Sequence, residues 1–196
     1  DASNELRELV DAAQIPFYTT PQGRGVIAED HPLSYMTVRS AAFREADLIL
    51  VIGTRMNYII GHAAPPRFNE DATIIRIDID EEEISTSPRK IDIGIVGDAK
   101  AVLGQINDRL AEAVSNDNFS QWRKRLGEEE AIKRSRPGGN SVSDSVPIHP
   151  LRLCEEVKNF MDRDAILVVD GQEILNYGRQ SMPTFAPGHR LNSGPF

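Results

Sequence analysis

Three short stretches carry the side chains best suited to chemistry: Gly53-Thr54-Arg55, Asp78-Ile79-Asp80 and Gly97-Asp98-Ala99. A glycine at position 53 lets a backbone approach a phosphate closely. Arg55 can fork onto diphosphate oxygens through charge-assisted hydrogen bonds. An acidic side chain at Asp78 can accept ribose hydroxyls, and Asp98 can hold an adenine amino group, directly or by fixing its loop. Together the three stretches describe a cradle for an adenine nucleotide. Each residue taken alone has a plainer use, because Gly53 can end a strand and Asp78 or Asp98 can cap a helix. Asp98 directly precedes a long helical pattern, so capping is the simpler role for it by itself. No G-x-G-x-x-G or Walker loop is present, which removes the motif support for dinucleotide dehydrogenase or P-loop chemistry.

Other reactive side chains point elsewhere. His31, His62, His149 and His189 are widely separated and lack H-E-x-x-H spacing, so no metal ligand set is expected. His31 and His149 each stand before a proline and read as solvated or capping residues. Glu81-Glu82-Glu83 suits the acidic first turn of a helix, where the macrodipole stabilises it. Cys154, the single cysteine, lies on an apolar helix face and reads as packing. It excludes an internal disulfide and any cysteine-cluster zinc site. The hydroxyls have no G-x-S-x-G context, so serine hydrolysis is unsupported.

The elements that must position these residues follow from periodicity. Leu6, Leu9, Val10 and Ala13 predict an amphipathic helix over 3–14. A short strand is expected over 15–20, a turn over 21–25 and a short helix over 40–45. The run 47–53 is nearly all apolar, rich in branched residues and closed by glycine. It suits a parallel strand buried on both faces. Strands are expected over 73–80 and 93–96, and helices over 99–114 and 119–134. Alternating strands and helices imply an α/β fold, a Rossmann-like parallel sheet with helices on both faces. Residues 136–145 are glycine, proline and serine with little to bury, a linker by content. Beyond it a helix (150–161), a strand (166–169), a turn at Asp170-Gly171 and a helix near 174–181 are too few to close a core.

The 196 residues include 30 acidic and 22 basic side chains, for a net charge of −8, and 40% are hydrophobic. These values suit a globular domain. An acidic balance without a basic block argues against nucleic acid or an anionic membrane as partner, and no apolar run approaches the ~20 residues that span a bilayer. A cytoplasmic location is the simplest expectation. Because Asp1 opens directly into a helical pattern, the stretch reads as a piece of a longer protein.

Taken in order, the motifs resemble the thiamine-diphosphate-dependent enzymes. The likeness begins at Thr20-Pro21-Gln22-Gly23-Arg24-Gly25-Val26-Ile27 with His31-Pro32. It continues through residues 46–57, Ile77-Asp78-Ile79-Asp80 and Gly97-Asp98-Ala99-Lys100. The Arg55-x-Asn57 pairing and Asp170-Gly171-Gln172 look closest to 2-hydroxyacyl-CoA lyases and oxalyl-CoA decarboxylases. The resemblance implies a central nucleotide-binding domain over 1–125, a linker over 126–147, and over 148–196 the opening part of the diphosphate-binding domain. It implies reversible C–C cleavage of a 2-hydroxyacyl-CoA to formyl-CoA and an aldehyde or ketone. The alternatives it leaves are an oxalyl-CoA decarboxylase or acetolactate-synthase-like enzyme, or a non-catalytic nucleotide-binding or structural domain. The cofactors implied are thiamine diphosphate and Mg2+ in the intact protein, with ADP in the central domain. The partners implied are an acyl-CoA substrate, the remaining domains and a homo-oligomer, usually a tetramer.

By the same resemblance Gly53, Thr54 and Arg55 meet the ADP phosphates, Asp78 and Ile79 the ribose and adenine, and Asp98 and Ala99 the adenine edge. Arg39 and Arg190 stand near the CoA phosphates, and Gln172 and Glu173 line the substrate pocket. Asp-Gly-Gln-Glu replaces the Glu-Gly-Ala-Asn type of loop found in decarboxylases, which favours the lyase branch. The family's activating glutamate lies before Asp1 and its Gly-Asp-Gly…Asn motif after Phe196. This stretch alone is therefore expected not to turn over substrate.

Overall fold

The computed structural model describes residues 1–112, 119–135, 140–171 and 173–192. The chain divides into two compact units: residues 1–16 with 35–130, and residues 17–34 with 131–196. The sequence groups 17–34 with the first domain, whereas the structure gathers that segment into the second unit.

In the first unit, β1 (Leu48–Ile52), β2 (Thr73–Asp78) and β3 (Ile93–Val96) form a parallel sheet in the order β1-β2-β3. Strand periodicity sends alternate residues to opposite faces. Ile49, Val51 and Ile74 therefore join one core with Met56, Ala63 and Phe68, to which Phe43 of helix α2 (Arg39–Glu45) adds a ring stacked on Phe68 at 4.4 Å. Leu50, Ile52 and Ile77 join the other core with Leu9 and Ala13 of α1 (Ser3–Ala13) and Leu103 of α4 (Ala99–Leu110). Helices thus cover both faces, as periodicity implied. The strand expected to be buried on both faces, β1, is covered on both but stands at the sheet edge, and Leu48 remains 52% exposed.

A five-residue helix, α3 (Glu81–Ser85), follows β2 as the three consecutive glutamates suggested. Helix α5 (Ser120–Arg134) crosses the boundary between the units in sequence. The end of the helix expected over 99–114 and the first part of the expected linker fall outside the described residues.

The second unit contains α6 (Pro150–Phe160), β4 (Leu167–Val169), α7 (Glu173–Ser181) and β5 (Arg190–Asn192). The strand expected over 15–20 is a single bridge between Phe17 and Ser34: Pro16 has no N–H to give to a ladder, and a 3-10 turn starts already at Pro21. Conversely, β5 was not expected. It is three residues long, too short to show alternation, and pairs parallel with β4 across the α7 crossover. Cys154 is buried and free, as packing required. His149 caps α6 by accepting the Leu151 N–H on Nδ1, and His31 accepts the Leu33 N–H in the same way. Among the described residues no helix is long and apolar enough to cross a membrane.

Candidate functional site at the strand tips

The carboxyl ends of β1, β2 and β3 meet, as a parallel sheet requires. Two backbone bonds lock them: Gly53 N–H donates to the Ile77 carbonyl and Gly97 N–H to the Asp78 carbonyl, both at 2.9 Å. All three predicted stretches are thereby neighbours. Gly53 has φ +55 and nothing within 4 Å of where a Cβ would stand, so this turn offers open backbone. Immediately after it, Met56 is buried in the core while Arg55 stays largely in solvent.

Asp78 behaves differently from an open ribose acceptor. It is buried, its Oδ2 accepts from Arg76 Nη2 at 3.1 Å and its Oδ1 from the Asp80 N–H at 3.2 Å. Ile79 beside it is 73% exposed, an apolar side chain in solvent at the second tip. Asp98 is the N-cap of α4, accepting the Ala101 N–H at 3.0 Å, so the plainer role named for it is present. A shallow groove along α1 and α4, about 500 Å³, reaches the strand tips only at Asp98. Glu5, Asp98 and Asp108 outnumber Lys100 in its lining, a poor field for an anion.

The hub of the strand tips is a residue that motif reading passed over. Arg76, on β2, is 1% exposed. Its guanidinium donates to the Glu83 carbonyl, to Glu83 Oε2 (2.8 Å), to Asp78 Oδ2 (3.1 Å) and to the Thr54 carbonyl (3.2 Å). One buried cation therefore ties the first tip, the second tip and α3 together. The signal available in sequence was an arginine amid the isoleucines of 74–77.

These strand tips belong to a region that matches a known family. The family described as thiamine pyrophosphate enzyme, central domain, matches residues 1–106. The chain belongs to the thiamine pyrophosphate enzymes. Among curated relatives, 2-hydroxyacyl-CoA lyase 1 of Mus musculus is 31% identical over 196 residues, covering all of this chain and 34% of the relative. The 2-hydroxyacyl-CoA lyase of Arabidopsis thaliana is 31% identical over 202 residues, 98% of this chain and 34% of its own. The acetolactate synthase large subunit IlvG of Mycobacterium tuberculosis is also 31% identical, over 195 residues, with coverages of 100% and 34%. The chain thus spans about a third of the length of these relatives. In fold it is similar to an X-ray structure of a thiamin diphosphate-dependent enzyme from Mycobacterium smegmatis (TM-score 0.63, 19% identity, 98% of this chain and 36% of the other).

The remaining predicted residues lie outside the tip cluster. Arg39 opens α2 in the first unit and is half-buried. Glu173 is exposed at the start of α7 in the second unit, and Gln172 lies outside the described residues. Arg190, expected near CoA phosphates, is 3% exposed in β5, where Nη1 donates to the Met182 carbonyl at 3.1 Å. Burial, with Arg24 close by, lowers its pKa to about 10. It offers no open fork to a ligand. Among the described residues no group of three His, Cys, Asp or Glu is placed to hold a metal ion. These residues do not fit a magnesium–diphosphate seat.

Proposed function

We propose that this chain is the nucleotide-seating part of a thiamine-diphosphate-dependent lyase that cleaves a 2-hydroxyacyl-CoA to formyl-CoA and an aldehyde or ketone. The reading rests on one observation above others. Three strand tips, hydrogen-bonded to one another, bring open backbone at Gly53, an exposed guanidinium at Arg55 and an exposed apolar side chain at Ile79 to one end of the sheet. ADP fits that set: phosphates at Gly53-Thr54-Arg55, ribose beside Asp78 and Ile79, adenine towards Asp98 and Ala99. The Asp78 carboxylate keeps acceptor capacity beyond its two bonds. The 2-hydroxyacyl-CoA lyases at 31% identity support the substrate class.

In this reading residues 1–125 are the central domain and 148–196 the start of the diphosphate-binding domain; the stretch 126–147, expected as a linker, opens with the second half of α5. Thiamine diphosphate supplies the electron sink for C–C cleavage and is held by residues other than those described; this chain supplies binding and orientation. Arg39 remains a candidate for a CoA phosphate, while the burial of Arg190 speaks against direct contact.

The acetolactate synthase match at equal identity favours a second reading, a synthase-like enzyme whose central domain takes a flavin nucleotide instead. Calorimetry with ADP, CoA and FAD separates them. Binding of ADP and not FAD supports the lyase reading, FAD binding supports the synthase reading, and binding of none removes both.

A further inference from the structure

Glu83 bridges two arginines of opposite character. Its Oε2 accepts from the buried Arg76 at 2.8 Å. Its Oε1 lies 3.2 Å from Nε of Arg55, whose side chain is 78% exposed. The helix that carries Glu83 is fixed without help from Arg55. Asp80 caps it by accepting the Glu82 N–H at 2.9 Å. Ile84 fills the notch left by Gly94 of β3, where a Cβ would come within 2.6 Å of Ile84 Cγ2. Arg76 also donates to the Glu83 backbone carbonyl. The carboxylate is therefore held in place, and Arg55 is the partner that can move.

We propose that Glu83 is an intramolecular competitor for the diphosphate at this seat and sets how much the phosphates contribute to binding. The inference rests on reading the strand tips as an ADP seat. A phosphate that takes the side-on edge of Arg55, the one that carries Nε, displaces Glu83 Oε1, so binding there exchanges one ion pair for another instead of creating one. The phosphates then add little by themselves, and the adenosine half must bind too. Such a seat discriminates against free pyrophosphate and other small anions while still accepting the whole nucleotide. A ligand without phosphates leaves the Arg55–Glu83 pair intact and is indifferent to it.

The substitution that isolates this effect is Glu83→Gln, whose amide oxygen still accepts from Arg76 while the charge facing Arg55 is lost. Calorimetry with ADP and with adenosine, at low and physiological salt, reads the outcome. Exposed ion pairs of this kind correspond to about a two- to fivefold change in affinity. ADP is expected to bind the variant tighter by that factor and with a steeper fall in salt, because Arg55 begins unpaired. Adenosine should bind as before. Glu81→Gln, which removes a neighbouring charge of the same helix but leaves the Arg55–Glu83 pair in place, should change ADP affinity less. In an Arg55→Gln background, Glu83→Gln should have no further effect on ADP.

Unchanged or weaker ADP binding by Glu83→Gln overturns the inference, as does equal tightening by Glu81→Gln. Either result would leave the seat itself standing, since the unsubstituted chain would still bind ADP. Failure of the unsubstituted chain to bind ADP overturns the seat and, with it, the competitor.

Discussion

Removing the guanidinium of Arg76 should be the most damaging single change in the first unit that leaves its apolar core intact. Arg76→Met preserves most of the buried stem but deletes four donations: to Thr54, to Asp78 and to both the carbonyl and carboxylate of Glu83. Breaking a buried ion pair from one side costs about 3–5 kcal/mol, because the surviving charge is left uncompensated. Asp78 pays nearly the whole of that, its side chain being 11% exposed. Glu83 is 29% exposed and can turn towards water, so the expected loss is about 2–4 kcal/mol, a large share of a typical domain's stability. Urea unfolding followed by circular dichroism should show the midpoint falling by about 1–2 M at the slopes usual for small domains. Adding Asp78→Asn should recover at least about 1 kcal/mol, since the two residues share a network. A loss below about 1 kcal/mol, or strict additivity of the two changes, would refute the hub.

Further tests bear on the second unit. Gly25 has φ +86, and a Cβ there would fall 2.7 Å from the Ala186 carbonyl carbon and 2.9 Å from Thr184 Cγ2. Gly25→Ala should therefore cost more than about 3 kcal/mol in thermal unfolding, combining left-handed strain with a backbone clash; a change within about 1 kcal/mol would contradict the packing. Arg163 pairs with both oxygens of Asp30, at 2.7 and 3.1 Å, and its hydrogen bonds hold the Asp30 carboxyl below the usual carboxylate range. The stability this adds, under about 1 kcal/mol for so exposed a pair, is complete above about pH 4 and fades as pH falls through the lowered folded value. NMR titration should find the Asp30 value raised by Arg163→Ala, and no rise would falsify the pairing. Burial and the nearby Arg24 work against the charge on Arg190. Arg190→Met should stay within about 1 kcal/mol of the parent or exceed it; a loss above about 3 kcal/mol would show that the charge stabilises the unit.

How far the sequence reached depends on what kind of signal each feature left. β1, β2, β3 and α4 were readable because branched apolar runs and 3.6-residue spacing both survive in the order of the residues. The acidic run at Glu81–Glu83 and the caps at Asp98 and His149 were readable for a local reason, since each acts on backbone groups within three residues of itself. β5 was not, because three residues cannot show a period and its pairing depends on a strand some twenty positions earlier. The strand expected over 15–20 failed on long-range grounds too, for among the described residues it makes a single bridge, from Phe17 to Ser34. At the strand tips, motif order located Gly53, Arg55, Asp78 and Asp98, yet it hid the role of Arg76. An arginine in an apolar strand looks like an outward-facing position until β2 is placed between two neighbours with both faces covered. The environment of Arg190 was hidden likewise, since its burial comes from packing and not from adjacent residues.

The proposal that three strand tips jointly seat ADP is tested most directly by titrating ADP into the isotope-labelled chain and following backbone amide shifts. The amides of Gly53, Arg55, Ile79 and Ala99 should move together with one saturation curve. Shifts confined to the groove of Glu5, Lys100 and Asp108, or no shifts at all, would contradict the seat.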